Sequence, residues 1–147
     1  MSLEEWLANR WLVQHEPSPQ EVEDLLALVE RDLTDAAIER LSPDWRLGIA
    51  YNAALQLATL ALAAEGYRPA RERPHERAIL SLRFTVGADA RLVDTIDGVR
   101  RKRNISNYER AGTASGSEAR EMYAIATKLH DRVLAWLKER HPELRSP

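Results

Sequence analysis

The chain has 147 residues, of which 44% are apolar, and this composition fits one domain with one hydrophobic core. Its 21 lysines and arginines against 23 aspartates and glutamates give a formal net charge of −2, which excludes a protein that is basic throughout. The absence of cysteine excludes disulfides, thiolate metal sites and a cysteine nucleophile. We therefore expect a single domain over residues 1–147.

Neither a signal peptide nor a membrane span is expected from the sequence. The N-terminus carries Glu4 and Glu5 where a signal peptide would carry cations. The Ala/Leu-rich stretch Ala53–Ala64 is shorter than the roughly 20 residues needed to cross a bilayer, and Gln56 and Thr59 interrupt it. These patterns predict a cytoplasmic protein with no membrane partner, and a buried helix over this stretch.

Apolar residues recur at three- and four-residue spacing along most of the chain, which predicts an all-α fold. We expect helices at about residues 3–14, 19–41, 43–65, 75–86 and 88–110, and a last helix that ends near residue 140. Serines stand at three predicted helix starts, namely Ser18, Ser42 and Ser115. A glutamate follows Ser18 and Ser115 after three residues, and each of these two pairs predicts a capping box. The predicted fold class is an up-and-down bundle of five to six helices, with the alanine-rich third helix at its centre.

The charge is distributed unevenly along the chain. Residues 1–41 contain three basic and ten acidic side chains, whereas residues 66–110 contain eleven basic and six acidic ones. A local basic surface could bind an anionic partner, although charged helix faces are most often simply solvated.

The fifth predicted helix places one arginine on its apolar side. Leu92, Ile96 and Val99 mark the buried stripe, and at about 100° per residue Arg103 lies about 20° from Leu92. Because burial of an unpaired guanidinium costs several kcal/mol, Arg103 must face a buried partner, a cleft or a subunit boundary. An ion pair with Asp97 or Asp44 is the purely structural alternative.

Other polar residues accompany Arg103. Arg100 and Asn107 lie within about 60° of it on the helix, whereas Arg101 and Lys102 point towards the opposite side and are expected to be solvated. Asn52 interrupts the alanine-rich face of the third helix, where an unpaired amide is costly. It is expected either to orient Arg103 or its neighbour, or to make a hydrogen bond between helices.

The string Arg103-Asn104-x-x-x-Tyr108 lies at the end of a late predicted helix. It resembles the Arg-x4-6-His motif of the HEPN family, the "higher eukaryotes and prokaryotes nucleotide-binding" helical domains. The segments 44–55 and 66–69 are similar to a bacterial subgroup that has an Arg-Asn-x-x-x-Tyr version of the motif.

The resemblance implies a helical bundle that commonly forms a homodimer, with two copies of the motif across a shared cleft. By position, Arg103 matches the arginine that binds the scissile phosphate in active ribonuclease members, Asn104 matches the accompanying polar residue, and Tyr108 stands where those members have histidine. Cleavage in those members needs no metal or other cofactor and proceeds through the RNA 2′-hydroxyl.

The tyrosine changes the expected activity. A tyrosine hydroxyl has an ordinary pKa of about 10, so Tyr108 is a poor general base near neutral pH. We therefore expect binding of RNA, a nucleotide or a phosphate group at a basic cleft of Arg100, Arg103, Asn104 and Asn107, with weak catalysis at most. Asn52 and Asp44 are the supporting residues.

The family also implies a setting. HEPN domains occur in toxin–antitoxin and defence systems, and some are silenced when a partner nucleotidyltransferase modifies a motif tyrosine. The alternative function is a non-enzymatic protein-interaction module, in which Arg103 forms a structural ion pair and the acidic and basic segments dock partners.

The histidines and tryptophans carry weaker signals. His15, His75, His130 and His141 are far apart in sequence and form no metal-ligand pattern, so no metal site is expected. His75 could replace the missing motif histidine only if its loop folds over the fifth helix. The tryptophans are expected to be core or dimer contacts; they are Trp6, Trp11, Trp45 and Trp136.

Overall fold

The computed structural model describes residues 1–106, 112 and 114–145, with the backbone alone for residues 104–106. In these residues the chain forms six α-helices, α1 (Leu3–Ala8), α2 (Pro19–Ala36), α3 (Pro43–Ala64), α4 (Pro74–Ser81), α5 (Ala90–Ser106) and α6 (Gly116–Arg140). A 3-10 turn, Pro142–Leu144, follows α6, and two short strands, β1 (Leu12–Gln14) and β2 (Tyr67–Pro69), complete the fold. The prediction of an all-α bundle with five to six helices is confirmed.

The helix starts follow the predicted caps. The hydroxyls of Ser18, Ser42 and Ser115 each accept a hydrogen bond from the backbone N–H three residues later. At α6 the box is complete, since the Glu118 carboxylate accepts a hydrogen bond from the Ser115 N–H. These caps satisfy N–H groups that a helix leaves unpaired, which is why the starts of α2, α3 and α6 could be located from sequence.

The first predicted helix, at about residues 3–14, is wrong beyond Ala8. Arg10 adopts a left-handed conformation with φ 65°, which turns the chain out of α1. Residues 12–14 then pair antiparallel with β2, with Leu12 opposite Pro69. The strand partner lies more than fifty residues away in sequence, so the local pattern of apolar residues contained no sign of it. The predicted loop 66–74 is likewise partly strand.

Helix α2 also ends earlier than predicted, at Ala36 instead of near Leu41. The Nε–H group of Arg46 donates a hydrogen bond to the Ala36 carbonyl at 3.1 Å and thereby satisfies one of the last carbonyls of the helix. The residues between Ala36 and Pro43 reverse the chain, so that α3 packs back against α2.

The predicted central position of α3 is confirmed. Thirteen of its side chains are buried, and α3 contacts α2, α4, α5 and α6. Its alanines Ala50, Ala53, Ala54, Ala58 and Ala61 are all fully buried, which lets the neighbouring helices approach closely. This helix is long and apolar enough to span a membrane by composition, but 72% of the relevant window is buried within the fold.

Candidate functional site

Helix α5 carries the residues of the site, and its apolar stripe packs against the core. Ile96 and Val93 are buried, and Leu92 and Val99 are half-buried against the main core cluster. The Asp89 carboxylate accepts a hydrogen bond from the Leu92 N–H at 2.8 Å and caps the start of the helix. This packing fixes the rotation of α5 about its axis and thereby the direction of its C-terminal turn.

Arg103 extends from that turn onto α3. Its Cζ atom lies 5.2 Å from the ring centroid of Tyr51, within the range of a cation–π contact. A β-carbon built on Gly48 would lie 3.6 Å from each of the Cζ, Nε and Nη2 atoms of Arg103. A point equally distant from three atoms of a planar group lies over its face, so the guanidinium lies flat against α3 at Gly48. Arg103 therefore points in the direction that the helical periodicity predicts.

Two polar atoms at this contact have no hydrogen-bond partner among the described residues. They are the Nε of Arg103 and the hydroxyl oxygen of Tyr51, and both are buried. Burial raises the pKa of Tyr51 to about 12, although the positive charges of Arg103 and Arg100 act to lower it. The Tyr51 hydroxyl is thus protonated at neutral pH and can donate a hydrogen bond.

Asp97, the first carboxylate considered as a partner for Arg103, is bonded to other arginines. Its Oδ1 accepts a hydrogen bond from the Nε–H group of Arg100 at 2.6 Å, and its Oδ2 pairs with Arg101. The Nη2 of Arg100 also lies 3.6 Å from the Oε2 of Glu76 in α4. The hydrogen bond to Asp97 is the main cause that raises the pKa of Arg100. Arg101 remains 60% exposed, as predicted, but it is ion-paired.

Asp44, the second candidate partner, anchors the backbone before α6. Its carboxylate accepts hydrogen bonds from the N–H groups of Gly112 at 2.6 Å and Ala114 at 3.0 Å. The Gly112 bond, followed by the Ala114 bond, holds the pKa of Asp44 below its usual value. Among the described residues, no carboxylate lies within ion-pair distance of Arg103.

Asn52 takes part in a different cluster. Its Nδ2 donates to the buried Asp32 carboxylate of α2 at 2.9 Å, and Gln56 donates to the same oxygen at 2.8 Å. Arg31 pairs with the other oxygen of Asp32. Asn52 was expected either to orient Arg103 or its neighbour, or to make a hydrogen bond between helices. The bond to Asp32 is a hydrogen bond between helices α3 and α2.

The remaining motif residues lie largely outside the described part of the chain. Asn107 and Tyr108 lie outside it altogether, and so does the side chain of Asn104.

Lys102, which was predicted to be solvated, pairs with Glu118 of α6 at 2.5 Å.

Sequence reasoning missed Gly48. A glycine inside a helix costs about 1 kcal/mol relative to alanine, so its presence in α3 was a signal that another group approaches closely. The group that approaches is the guanidinium of Arg103. Tyr51 lies one helical turn after Gly48, and no local sequence pattern indicated its contact with Arg103.

The histidines are distributed over separate surfaces. His15 bonds to Glu21, His130 to Glu30 and Asp131, and His141 to Glu65 and Glu143, while His75 is exposed at the start of α4. In the part of the chain that the structure describes, no three metal-ligating side chains converge.

The tryptophans differ from one another. Trp6 is buried, and Trp11 and Trp136 are half-buried against core clusters. Trp45 is 68% exposed at the start of α3, so within this chain it is not the core residue that the sequence pattern allowed.

Comparison of the chain with protein-family models, with curated proteins and with solved structures gives no match. The HEPN resemblance remains a prediction from the sequence.

Proposed function

We propose that the chain is a HEPN-type domain that binds a phosphate group of RNA or of a nucleotide at Arg103. The observation that carries the proposal is the half-buried guanidinium of Arg103, which has no carboxylate partner among the described residues while its neighbours Arg100, Arg101 and Lys102 are all paired. A partly buried guanidinium without a counter-ion is less stable than a paired one, and a bound phosphate would supply the missing partner.

The contacts of Arg103 suit this role. The flat contact with Gly48 and the ring of Tyr51 hold the guanidinium in one orientation before any ligand arrives. A planar, preoriented fork of N–H donors matches the oxygens of a phosphate.

The remaining parts of the proposal come from the sequence. The motif assigns Asn104, Asn107 and Tyr108 to the same site, and Arg100 contributes positive charge to it. Any catalysis is weak at most, because Tyr108 replaces the histidine of active members. We further propose a cytoplasmic homodimer in a toxin–antitoxin or defence setting, with a nucleotidyltransferase as a partner. The exposed ring of Trp45 supports burial against a second copy.

The test is a titration of a labelled short single-stranded RNA, followed by fluorescence anisotropy at several salt concentrations. We expect Arg103→Ala to weaken binding about tenfold and to reduce the magnitude of the salt slope by about 0.7, the value for one lost phosphate contact on a single strand. Arg101→Ala is the matched control, because it removes the same charge from the same helix at an exposed position.

If Arg103→Ala and Arg101→Ala weaken RNA binding equally, the affinity depends on the net positive charge of α5 and not on the position of Arg103. That result would contradict a specific phosphate site at Arg103. An absence of RNA and nucleotide binding by the wild-type chain at low salt would favour the protein-interaction module instead.

A further inference from the structure

A cationic surface other than the site at Arg103 lies on the short sheet and α4. Its centre is Trp11, whose carbonyl accepts a hydrogen bond from the Ala70 N–H at 3.0 Å. The Cζ of Arg77 lies 4.0 Å from the ring centroid of Trp11 and 5.8 Å from that of Trp6. The Nε of Arg77 is buried without a partner among the described residues.

Four exposed arginines lie close to this centre in the chain or the sheet. Arg10 precedes Trp11, Arg71 follows Ala70, Arg73 lies one turn before Arg77 at the cap of α4, and Arg68 lies on β2. We call this group the arginine surface and define it as Arg10, Arg68, Arg71, Arg73 and Arg77.

No described carboxylate lies within ion-pair distance of the five arginines of the arginine surface. Some arginines elsewhere are paired, such as Arg31 with Asp32 and Arg140 with Glu65, and others, such as Arg40 and Arg91, have no such partner among the described residues. The two glutamates of this segment do not pair with them: Glu72 is exposed and Glu76 faces Arg100.

Backbone strain marks the same surface. In the described chain two residues other than glycine have positive φ, and they are Arg10 at 65° and Arg73 at 52°. The left-handed conformation is unfavourable for a residue with a β-carbon, whereas glycine adopts it freely. Such strain is concentrated at functional sites, where the side chain has a use that offsets it.

The contact between α4 and α5 connects the arginine surface with the site at Arg103. Arg73 lies one helical turn before Glu76, which contacts Arg100 at 3.6 Å, and Arg100 lies one turn before Arg103 on α5. Residues three or four apart are neighbours on a helix, so a ligand bound at Arg103 can extend over α4 towards Trp11.

We propose that the arginine surface binds the continuation of a single-stranded RNA whose phosphate lies at Arg103. This inference rests on the proposed function and specifies its ligand as a strand instead of a mononucleotide. Exposed arginines contact successive phosphates, and the half-buried Trp11 with its stacked Arg77 offers a flat platform for a base. A run of unpaired planar cations around an aromatic ring is the chemistry that single-stranded nucleic acids require.

The experiment compares two labelled ligands, a uridine dinucleotide and an oligouridylate of about 12 nucleotides, which is within the usual range of site sizes. The test variant is the double substitution Arg10→Gly with Arg73→Gly, because glycine removes both cations and relieves both strained conformations. The control, Arg91→Gln with Arg145→Gln, removes two exposed cations elsewhere.

We expect the wild-type chain to bind the longer RNA more tightly than the dinucleotide. The test variant should bind the longer RNA about tenfold more weakly, with a salt slope smaller by about 1.4, while its dinucleotide affinity stays near the wild-type value and its thermal unfolding temperature is at or above that of the wild type. The control variant should resemble the wild type for both ligands.

The inference is overturned if the longer RNA binds no better than the dinucleotide, or if the test variant binds it as the wild type does. A different result would overturn the phosphate site at Arg103 and leave the arginine surface as an RNA-binding surface of its own: the longer RNA binds and depends on Arg10 and Arg73, but Arg103→Ala leaves the affinity for both ligands unchanged.

Discussion

Substitutions at Gly48 separate the position of Arg103 from its charge. A β-carbon at this position would lie 3.6 Å from three guanidinium atoms, which is ordinary van der Waals contact. Gly48→Ala should therefore leave Arg103 in place. It should also stabilise the helix by up to about 1 kcal/mol, because alanine has the higher helix propensity.

Gly48→Val should have the opposite effect on binding. Valine adds two γ-carbons about 1.5 Å beyond the β-carbon, and at least one of them would come much closer to the guanidinium than the roughly 3.5 Å of a normal contact. Since the end of an arginine is flexible, we expect the side chain of Arg103 to move away from α3. RNA affinity should then fall about tenfold, as in Arg103→Ala, which corresponds to about 1.4 kcal/mol.

The assay is the RNA titration together with thermal unfolding of each variant. Gly98 on α5 provides the matched control, because a β-carbon there would lie 3.8 Å from the exposed Arg101 and not near Arg103. Gly98→Val should leave RNA affinity within about twofold of wild type. A folded Gly48→Val protein that binds RNA as tightly as wild type would refute the reasoning, since the inward position of Arg103 would then be irrelevant to binding.

Three further outcomes are expected. Asp44→Ala should lower the free energy of unfolding at pH 7 by about 1–2 kcal/mol, because two backbone N–H groups lose their acceptor. The pKa of Asp44 is lowered in the folded protein, so the carboxylate becomes protonated in acid and its contribution is lost. The difference in stability between wild type and variant should therefore shrink as the pH falls below about 4 in acid unfolding experiments. An acid-independent difference would contradict the anchoring role. Tyr51→Phe should be at least as stable as wild type at neutral pH, because the buried hydroxyl has no partner among the described residues. Between pH 10 and about 12 the unfolded tyrosine ionises while Tyr51 stays protonated, so wild-type stability should fall relative to the variant in this interval, and parallel curves would show that Tyr51 does not hold its proton. Tyr108→His should increase RNA cleavage in a gel assay, because a histidine near its ordinary pKa can accept a proton near neutral pH; a folded variant without cleavage would argue against a latent nuclease site.

The prediction of helix starts succeeded where the physical cause is local. A serine N-cap and the glutamate three residues later act within one turn, and both are visible in the sequence at Ser115 and Glu118. The ends of α1 and α2 were predicted too late because they depend on partners elsewhere: β2 for the residues after α1, and Arg46 for the end of α2.

The same division applies to the candidate site. Periodicity alone indicated that Arg103 turns towards the core, because the rotation per residue of a helix is fixed. It could not identify the surface that Arg103 meets, since Gly48 and Tyr51 are about fifty residues away in sequence. Nor could periodicity identify the partners of Asp97 and Asp44. Asp97 pairs with Arg100 and Arg101, and Asp44 accepts hydrogen bonds from the backbone before α6.

The sequence by itself determined the helical class, the caps that begin the helices and the inward direction of one arginine, because these follow from spacing within a few residues of the chain. Only the tertiary structure decided which carboxylates pair with which cations, that two short strands join distant segments, and that Arg77 stacks on Trp11. Those outcomes depend on the distance between groups that are remote in sequence, and folding alone brings such groups together.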